Sequence, residues 1–186
     1  MKKKIENEYP WYKYYNDVKE HLEYPDVSMY EMVRRTSVKY PSKIAYSYFG
    51  NKVTYKGLIR KINENAKAFV RMGVVKGDVV TIAMPNTPEA IICFYALNKI
   101  GAVVNMMHPL SSEEEFKYGI NLVNSDYLVC ADVVFEKIYN IKNDIKVKKI
   151  LYISVSEGMD PITKFGYLLK NGKDIMSPRG ENVLPY

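Results

Sequence analysis

His108 is one of only two histidines in the 186-residue chain, and it directly follows the apolar run Ala102-Val-Val-Asn-Met-Met107. If that run is a buried strand, His108 stands at its carboxyl end, where open α/β sheets place ligands. A helix N-terminus is expected a few residues later. His108 is therefore the candidate substrate-binding residue, as part of a cleft wall. The structural alternative, a loop histidine that anchors the turn at Pro109 through a backbone bond, is preferred. His21 has no partner in view.

Other reactive side chains have simpler explanations. Asp78 and Glu89 could form a carboxylate pair. Asp78 instead reads as a turn residue, and Glu89 as a first-turn helix residue, where negative charge is favourable. Glu113, Glu114 and Glu115 are explained by capping. Cys93 and Cys130 lie in apolar segments and read as buried thiols in a reducing cytoplasm. Two His and two Cys at no ligand spacing argue against a structural zinc site. There is no Gly-x-Gly-x-x-Gly and no glycine-rich loop ending in Lys-Ser/Thr. No catalytic, cofactor-binding or metal-binding residue is assigned.

The elements that would position His108 are legible from spacing. Ser28-Met-Tyr-Glu31 fits a capping box and opens a helix that stops near Tyr40, before Pro41. Ile44 to Phe49 suits a strand, Gly50-Asn51 a two-residue turn, and Lys52-Val53-Thr54 the returning strand. Thr54 can cap a long helix with Leu58, Ile62, Ala66, Phe69 and Val70 on one face, closed by Gly73. Val79 to Met84 reads as a buried parallel strand. Thr87, Pro88 and Glu89 start a helix, apolar nearly all round, that ends at Gly101. Ala102 to Met106 is the next strand. Ser112-Glu-Glu-Glu115 opens another helix. Tyr127 to Cys130 is a strand, Val133 to Ile141 a helix, and Ile150 to Val155 a strand.

This alternation predicts an α/β fold with a largely parallel sheet flanked by helices. Three regions follow: an N-terminal aromatic arm over 1–27, whose rings pack on a body; an α/β subdomain over 28–155; and a mostly irregular tail over 156–186 with one short helix at 162–169. At 186 residues, 47% hydrophobic and 26% charged, the chain is ordinary for a globular domain with its own core. The densest apolar stretch, 90–97, is far shorter than the roughly 20 residues that span a bilayer. The start, Met-Lys-Lys-Lys, lacks the apolar core of a secretory signal, so the cytoplasm is expected. The net charge of +6 is spread along the chain, without a nucleic-acid motif. A solvated lysine surface is preferred over a patch for anionic lipid or CoA phosphates, and no nucleic-acid partner is expected.

Four ordered pieces resemble the AMP-forming acyl-CoA synthetases, the adenylate-forming ligases. They are Tyr40-Pro-Ser-Lys-Ile-Ala-Tyr46; Val53-Thr-Tyr55 with its helix; Val75-Lys-Gly-Asp-Val-Val-Thr-Ile-Ala-Met-Pro-Asn-Thr-Pro-Glu89; and Gly101-Ala-Val-Val-Asn-Met-Met-His-Pro-Leu110 with Asp126-Tyr-Leu-Val-Cys130 behind it. The resemblance covers about residues 28–155 and implies the first subdomain of that family's N-terminal domain. The His-Pro-Leu form and the Met-rich strand are most like fatty-acyl or related carboxylate-CoA ligases. The implied reaction joins a carboxylic acid to CoA through an acyl-adenylate, with ATP, Mg²⁺ and CoA required by the full-length enzyme. His108 would then wall the acyl or nucleotide cleft.

The resemblance also places the phosphate-binding loop, with its lysine, just after Tyr186. The chain is thus expected to be an N-terminal fragment, inactive alone, whose partner is the missing remainder. Surface exposed by that absence is expected to drive self-association. Two alternatives stand beside this: a non-catalytic interaction or binding module, and an unrelated nucleotide-binding α/β domain, which the missing glycine fingerprint disfavours.

Overall fold

The computed structural model describes residues 9–19, 21–172 and 182–186. The basic cluster Lys2–Lys4 and the tail positions Pro178 and Gly180 lie outside these. The arm holds a short 3₁₀ turn over Tyr12–Tyr14. Its rings pack on one another: Tyr9 on Trp11 at 4.9 Å, Tyr12 on Tyr15 at 5.2 Å and Tyr12 on His21 at 6.0 Å between centroids. Trp11, Tyr14 and Tyr24 remain exposed.

Helix α1 (Met29–Lys39) starts at Ser28, whose Oγ accepts from the Glu31 N–H at 3.2 Å. Only half of the expected capping box forms. The Glu31 carboxylate turns to the Arg34 and Arg35 guanidinium groups, at 2.6 and 3.2 Å, because two i+3/i+4 cations outcompete a single backbone donor. Strands β1 (Ile44–Tyr48) and β2 (Asn51–Thr54) pair antiparallel. The two central turn residues are Phe49 and Gly50, both at positive φ (40° and 81°), one residue earlier than expected. Thr54 caps α2 (Tyr55–Met72) by accepting from Gly57 N–H, and left-handed Gly73 closes it. Leu58, Ile62, Ala66 and Phe69 are buried as the spacing predicted, whereas Val70 is 55% exposed at the margin of that stripe.

The main sheet contains β3 (Val79–Ala83), β4 (Val103–Met107), β5 (Tyr127–Ala131), β6 (Lys149–Ile153) and β7 (Val183–Pro185). Its order is β4-β3-β5-β6-β7, and every neighbouring pair is parallel. This is the largely parallel, helix-flanked α/β fold predicted from the alternation. Helix α3 (Pro88–Ile100) connects β3 to β4, α4 (Glu113–Leu122) connects β4 to β5, and α5 (Asp132–Asn140) connects β5 to β6. The chain moves one way across the sheet from β3 to β4 and the other way afterwards. Right-handed crossovers therefore put α3 and α4/α5 on opposite faces. Consistently, α1, α2 and α3 pack together and α4 packs on α5. The Ser112 capping box forms in full, with Ser112 Oγ accepting from Glu115 N–H and the Glu115 carboxylate accepting from Ser112 N–H.

Two elements lie in the stretch read as mostly irregular. Helix α6 (Pro161–Asn171) is longer than the 162–169 expected, because Asp160 caps it by accepting from the Ile162 and Thr163 N–H groups. Strand β7 extends the sheet at its edge, where a proline is tolerated.

All five β5 residues are buried, and so are the last four of β3. Where these strands converge, Ser125 Oγ accepts from the Thr81 N–H (3.0 Å) and hydroxyl (2.9 Å) and donates to the Tyr127 carbonyl (2.9 Å). Replacing Ser125 by Ala leaves the buried Thr81 donors unpaired. It should lower unfolding stability by about 1–3 kcal/mol in urea titrations. Thr81→Val added to Ser125→Ala should cost less than the sum of the two single changes.

Candidate functional site

In a parallel sheet of this order, β3 and β5 are the neighbours from which the chain departs in opposite directions. The carboxyl ends of such a pair form the crevice that open α/β proteins use for ligands. Here the crevice is a cavity of about 740 Å³. Its floor comes from the β3–α3 turn (Pro85, Asn86, Thr87) and from Val133 and Val155 after β5 and β6. Tyr48 and Phe49 of the hairpin form one wall, edge-to-face at 4.8 Å between centroids. Met159 and the Tyr167 face of α6 form the other.

The backbone around the crevice is held by buried polar groups. Asp132 Oδ1 accepts from the N–H groups of Val133 (2.9 Å) and Val155 (3.2 Å), and Oδ2 accepts from Ser154 Oγ at 2.6 Å. Ser154 Oγ also lies 2.9 Å from the fully buried Ser156 Oγ. The loop after β6 is clamped by the hairpin as well. Tyr48 Oη donates to the Val155 carbonyl at 3.1 Å, and Asn51 Nδ2 to the Gly158 carbonyl at 3.0 Å. This aspartate–serine network was missed from sequence. Its signal, an acid at the first position of a helix and two serines after a strand, is common.

Glu89 lies in the first turn of α3, where the sequence places it. It is also buried, only 2% exposed, and among the described residues its Oε2 has no hydrogen-bond partner. Gly158 lies against it so closely that a Cβ there would fall 2.9 Å from Oε1. Burial raises its pKa above the ordinary 4.5, with Lys61 and Lys164 pulling the other way and Glu157 adding to the rise. Its own burial, with the nearby Glu89 charge adding to it, pushes Tyr46 up to about 12. Asp78 is an ordinary turn residue, accepting from the Val75 N–H at 2.9 Å, and does not pair with Glu89.

His108 lies on the exposed rim at the end of edge strand β4, and its Nδ1 accepts from the Leu110 N–H at 3.2 Å. That is the backbone anchor described by the structural alternative. His108 is not among the residues lining the crevice. Cys93 and Cys130 are free and buried. Burial raises both thiols, Cys130 to about 12, which suits packing rather than nucleophilic chemistry.

A family model described as AMP-binding enzyme matches residues 33–173. The chain belongs to the AMP-binding enzyme family. Among relatives in the family, the long-chain-fatty-acid–CoA ligase of Bacillus subtilis is 27% identical over 154 residues, covering 82% of this chain and 28% of that protein. The acetyl-coenzyme A synthetase of Penicillium chrysogenum is 32% identical over 109 residues, covering 55% of this chain and 16% of that protein. Among solved structures, the anthranilate CoA ligase AuaEII in complex with anthranoyl-AMP superposes with a TM-score of 0.66 at 18% identity. That match covers 68% of this chain and 25% of AuaEII, and at such identity it speaks for the fold. The chain therefore spans about a quarter of the AMP-binding enzymes it matches over most of its own length.

The sequence resemblance implies Mg²⁺ for the full-length enzyme, so the donors available for a metal matter. Among the described residues, no group of three or more His, Cys, Asp or Glu side chains could hold a metal ion. The crevice has no carboxylate in its lining. Among the described residues, this donor set does not fit Mg²⁺.

The raised Glu89 pKa has a pH consequence with a definite sign. The folded protein keeps a proton that the unfolded chain gives up near 4.5. The contribution of this group is therefore complete below that value and is lost as pH rises through the folded pKa. Glu89→Gln, neutral and equal in size, should match the parent melting temperature near pH 4. It should exceed the parent increasingly toward pH 8, in thermal scans across that range.

Proposed function

We propose that this chain is the N-terminal portion of an acid–thiol ligase that activates a carboxylate, of fatty-acyl type, with ATP and passes it to CoA. The observation that carries the reading is the match to a fatty-acid–CoA ligase over 82% of the chain. In this reaction a carboxylate oxygen attacks the α-phosphorus of ATP, giving acyl-adenylate and pyrophosphate. The CoA thiolate then attacks the acyl carbonyl, and AMP leaves. Adenylation turns a poor electrophile into a reactive one, and positive groups offset the charge on the phosphates.

The part this chain plays is scaffolding. It supplies a rigid sheet whose carboxyl ends face one side, with β7 delivering Tyr186 to that side. No residue on it is assigned to the chemistry. His108 stands apart from the crevice, at the end of edge strand β4, and ATP, Mg²⁺ and CoA belong to the whole enzyme. Among the described residues no helix is long and apolar enough to cross a membrane, and a cytoplasmic location accords with fatty-acid activation.

The chain alone is proposed to be inactive, and its partner to be the remainder of the enzyme. Purified chain should give no ATP–pyrophosphate exchange above background with octanoate, palmitate or benzoate. Exchange dependent on ATP and acid would overturn this.

Helix α6 turns Ile162, Phe165 and Leu169 outward, 84%, 64% and 70% exposed, at the spacing of one helical face. Such a stripe should drive self-association. Light scattering should show mass rising with concentration for the parent, and a monomer for Phe165→Glu.

A further inference from the structure

Glu89 is a buried ionisable group that holds no other element in place. Among the described residues its Oε2 has no partner, and the surface pressed against the carboxyl is a glycine. A Cβ built on Gly158 would fall 2.9 Å from Oε1 and 3.1 Å from Oε2. The turn over 156–159 thus encloses the carboxyl by shape and gives Oε2 no hydrogen bond.

The groups that face Glu89 leave its charge uncompensated. Burial is the largest influence and favours the protonated form. Lys61 on α2 and Lys164 on α6 favour the ionised form, and Glu157 in the covering turn opposes it. Lys164 is already paired with Glu157 at 2.7 Å. Tyr46 and Tyr48 on β1, Cys93 one turn on along α3 and Tyr186 on β7 are all raised, by burial first and by the Glu89 charge in lesser part. None of these four offers a positive charge. An ionised carboxylate in this place lacks both a partner and water, and water reaches it only if the cover lifts.

The cover is built so that it can lift without the sheet. It belongs to no helix and to no strand ladder. It hangs between two anchors, Val155, whose N–H and carbonyl are held by Asp132 and Tyr48, and Asp160, the cap of α6. Between them the Asn51 amide on the Gly158 carbonyl and the Glu157–Lys164 pair tie it to other elements. Met159 on this turn lines the crevice, so the seating of the turn shapes that wall.

We propose that the turn over 156–159 is a proton-controlled latch: with Glu89 protonated Gly158 seats on the carboxyl, and with Glu89 ionised the turn lifts, admitting water to Oε2 and withdrawing Met159 from the crevice wall. Lifting returns the carboxyl toward its ordinary 4.5, so it releases a proton and is favoured as pH rises. The inference rests on the packing around Glu89 and not on the ligase reading, so the two can fail separately.

The test is amide hydrogen exchange of the full chain, followed by ¹⁵N NMR from pH 4 to pH 8 and expressed as protection factors. The reporters are Glu157 and Met159, whose N–H groups donate to the Ser154 and Ser156 carbonyls in the seated turn. Leu128 and Val129 in β5 report global unfolding. The turn amides should be less protected than the β5 amides at every pH, by about tenfold or more, as for a local opening. Their protection should fall by about tenfold per pH unit from 4.5 to the pKa of the enclosed group and level off above it. Glu89→Gln should hold the protection of the turn constant across the range. Gly158→Ala should lower it at every pH, and Glu89→Gln decides the matter if that variant does not fold. Protection of the turn that is independent of pH in the parent overturns the proposal. So does the same pH dependence in Glu89→Gln, or protection equal to that of β5, which would leave global unfolding as the route of exchange.

Discussion

Strand β5 meets water on neither face and neither edge. Its five residues are buried, and it is hydrogen-bonded to β3 on one side and β6 on the other. In such a position every backbone donor and acceptor must be met within the protein, because an unpaired one costs most of its desolvation energy. The ladder does this along the strand. At the mouth, where the ladder begins, the Ser125 hydroxyl does it for Thr81 and Tyr127. Once β5 is set, the register of β3 and β6 follows, and with it the height at which every loop leaves the carboxyl side.

Those loops are then tied down by a second layer of polar groups. The Asp132 carboxylate sits between the end of β5 and the end of β6, and the hairpin reaches across through Tyr48 and Asn51 to the same loop. Gly158 permits the close approach of that loop to Glu89, since a side chain there would collide with the carboxylate. A buried carboxyl with an unpaired oxygen is a cost, offset by the packing that encloses it. The outcome is a crevice whose bordering loops are tied to one another by side-chain hydrogen bonds.

The chain belongs to the AMP-binding enzyme family. The relatives are several times longer than the matched segment. The two cysteines are buried with raised pKa values, and the histidine at the end of β4 is occupied by its own turn. The five parallel strands present their carboxyl ends to one side, with a largely apolar crevice at the switch point.

Much of this architecture was legible without coordinates, for local physical reasons. Ser28, Thr54, Thr87 and Ser112 accept from the N–H three residues on, as short hydroxyl side chains before a helix do. Gly73 and Gly101 adopt the left-handed conformation that ends a helix. Val79–Ala83 and Tyr127–Ala131 declare burial by their unbroken apolar runs. Asp160-Pro161 is an equally local helix-start signal, and α6 begins there rather than at Ile162. Other features had no local signature. Strand β7 is three residues ending in proline, and only the free edge of β6 makes it a strand. Glu89 carries the same helix-start signal whether it is solvated or buried, and only Gly158, about 70 residues away, decides which. Sequence by itself determined the elements and their order, because caps, turns and hydrophobic period act over a few residues. Tertiary structure alone decided the crevice, the burial of Glu89 and the isolation of His108 at the sheet edge, because each depends on which distant segments the sheet brings together.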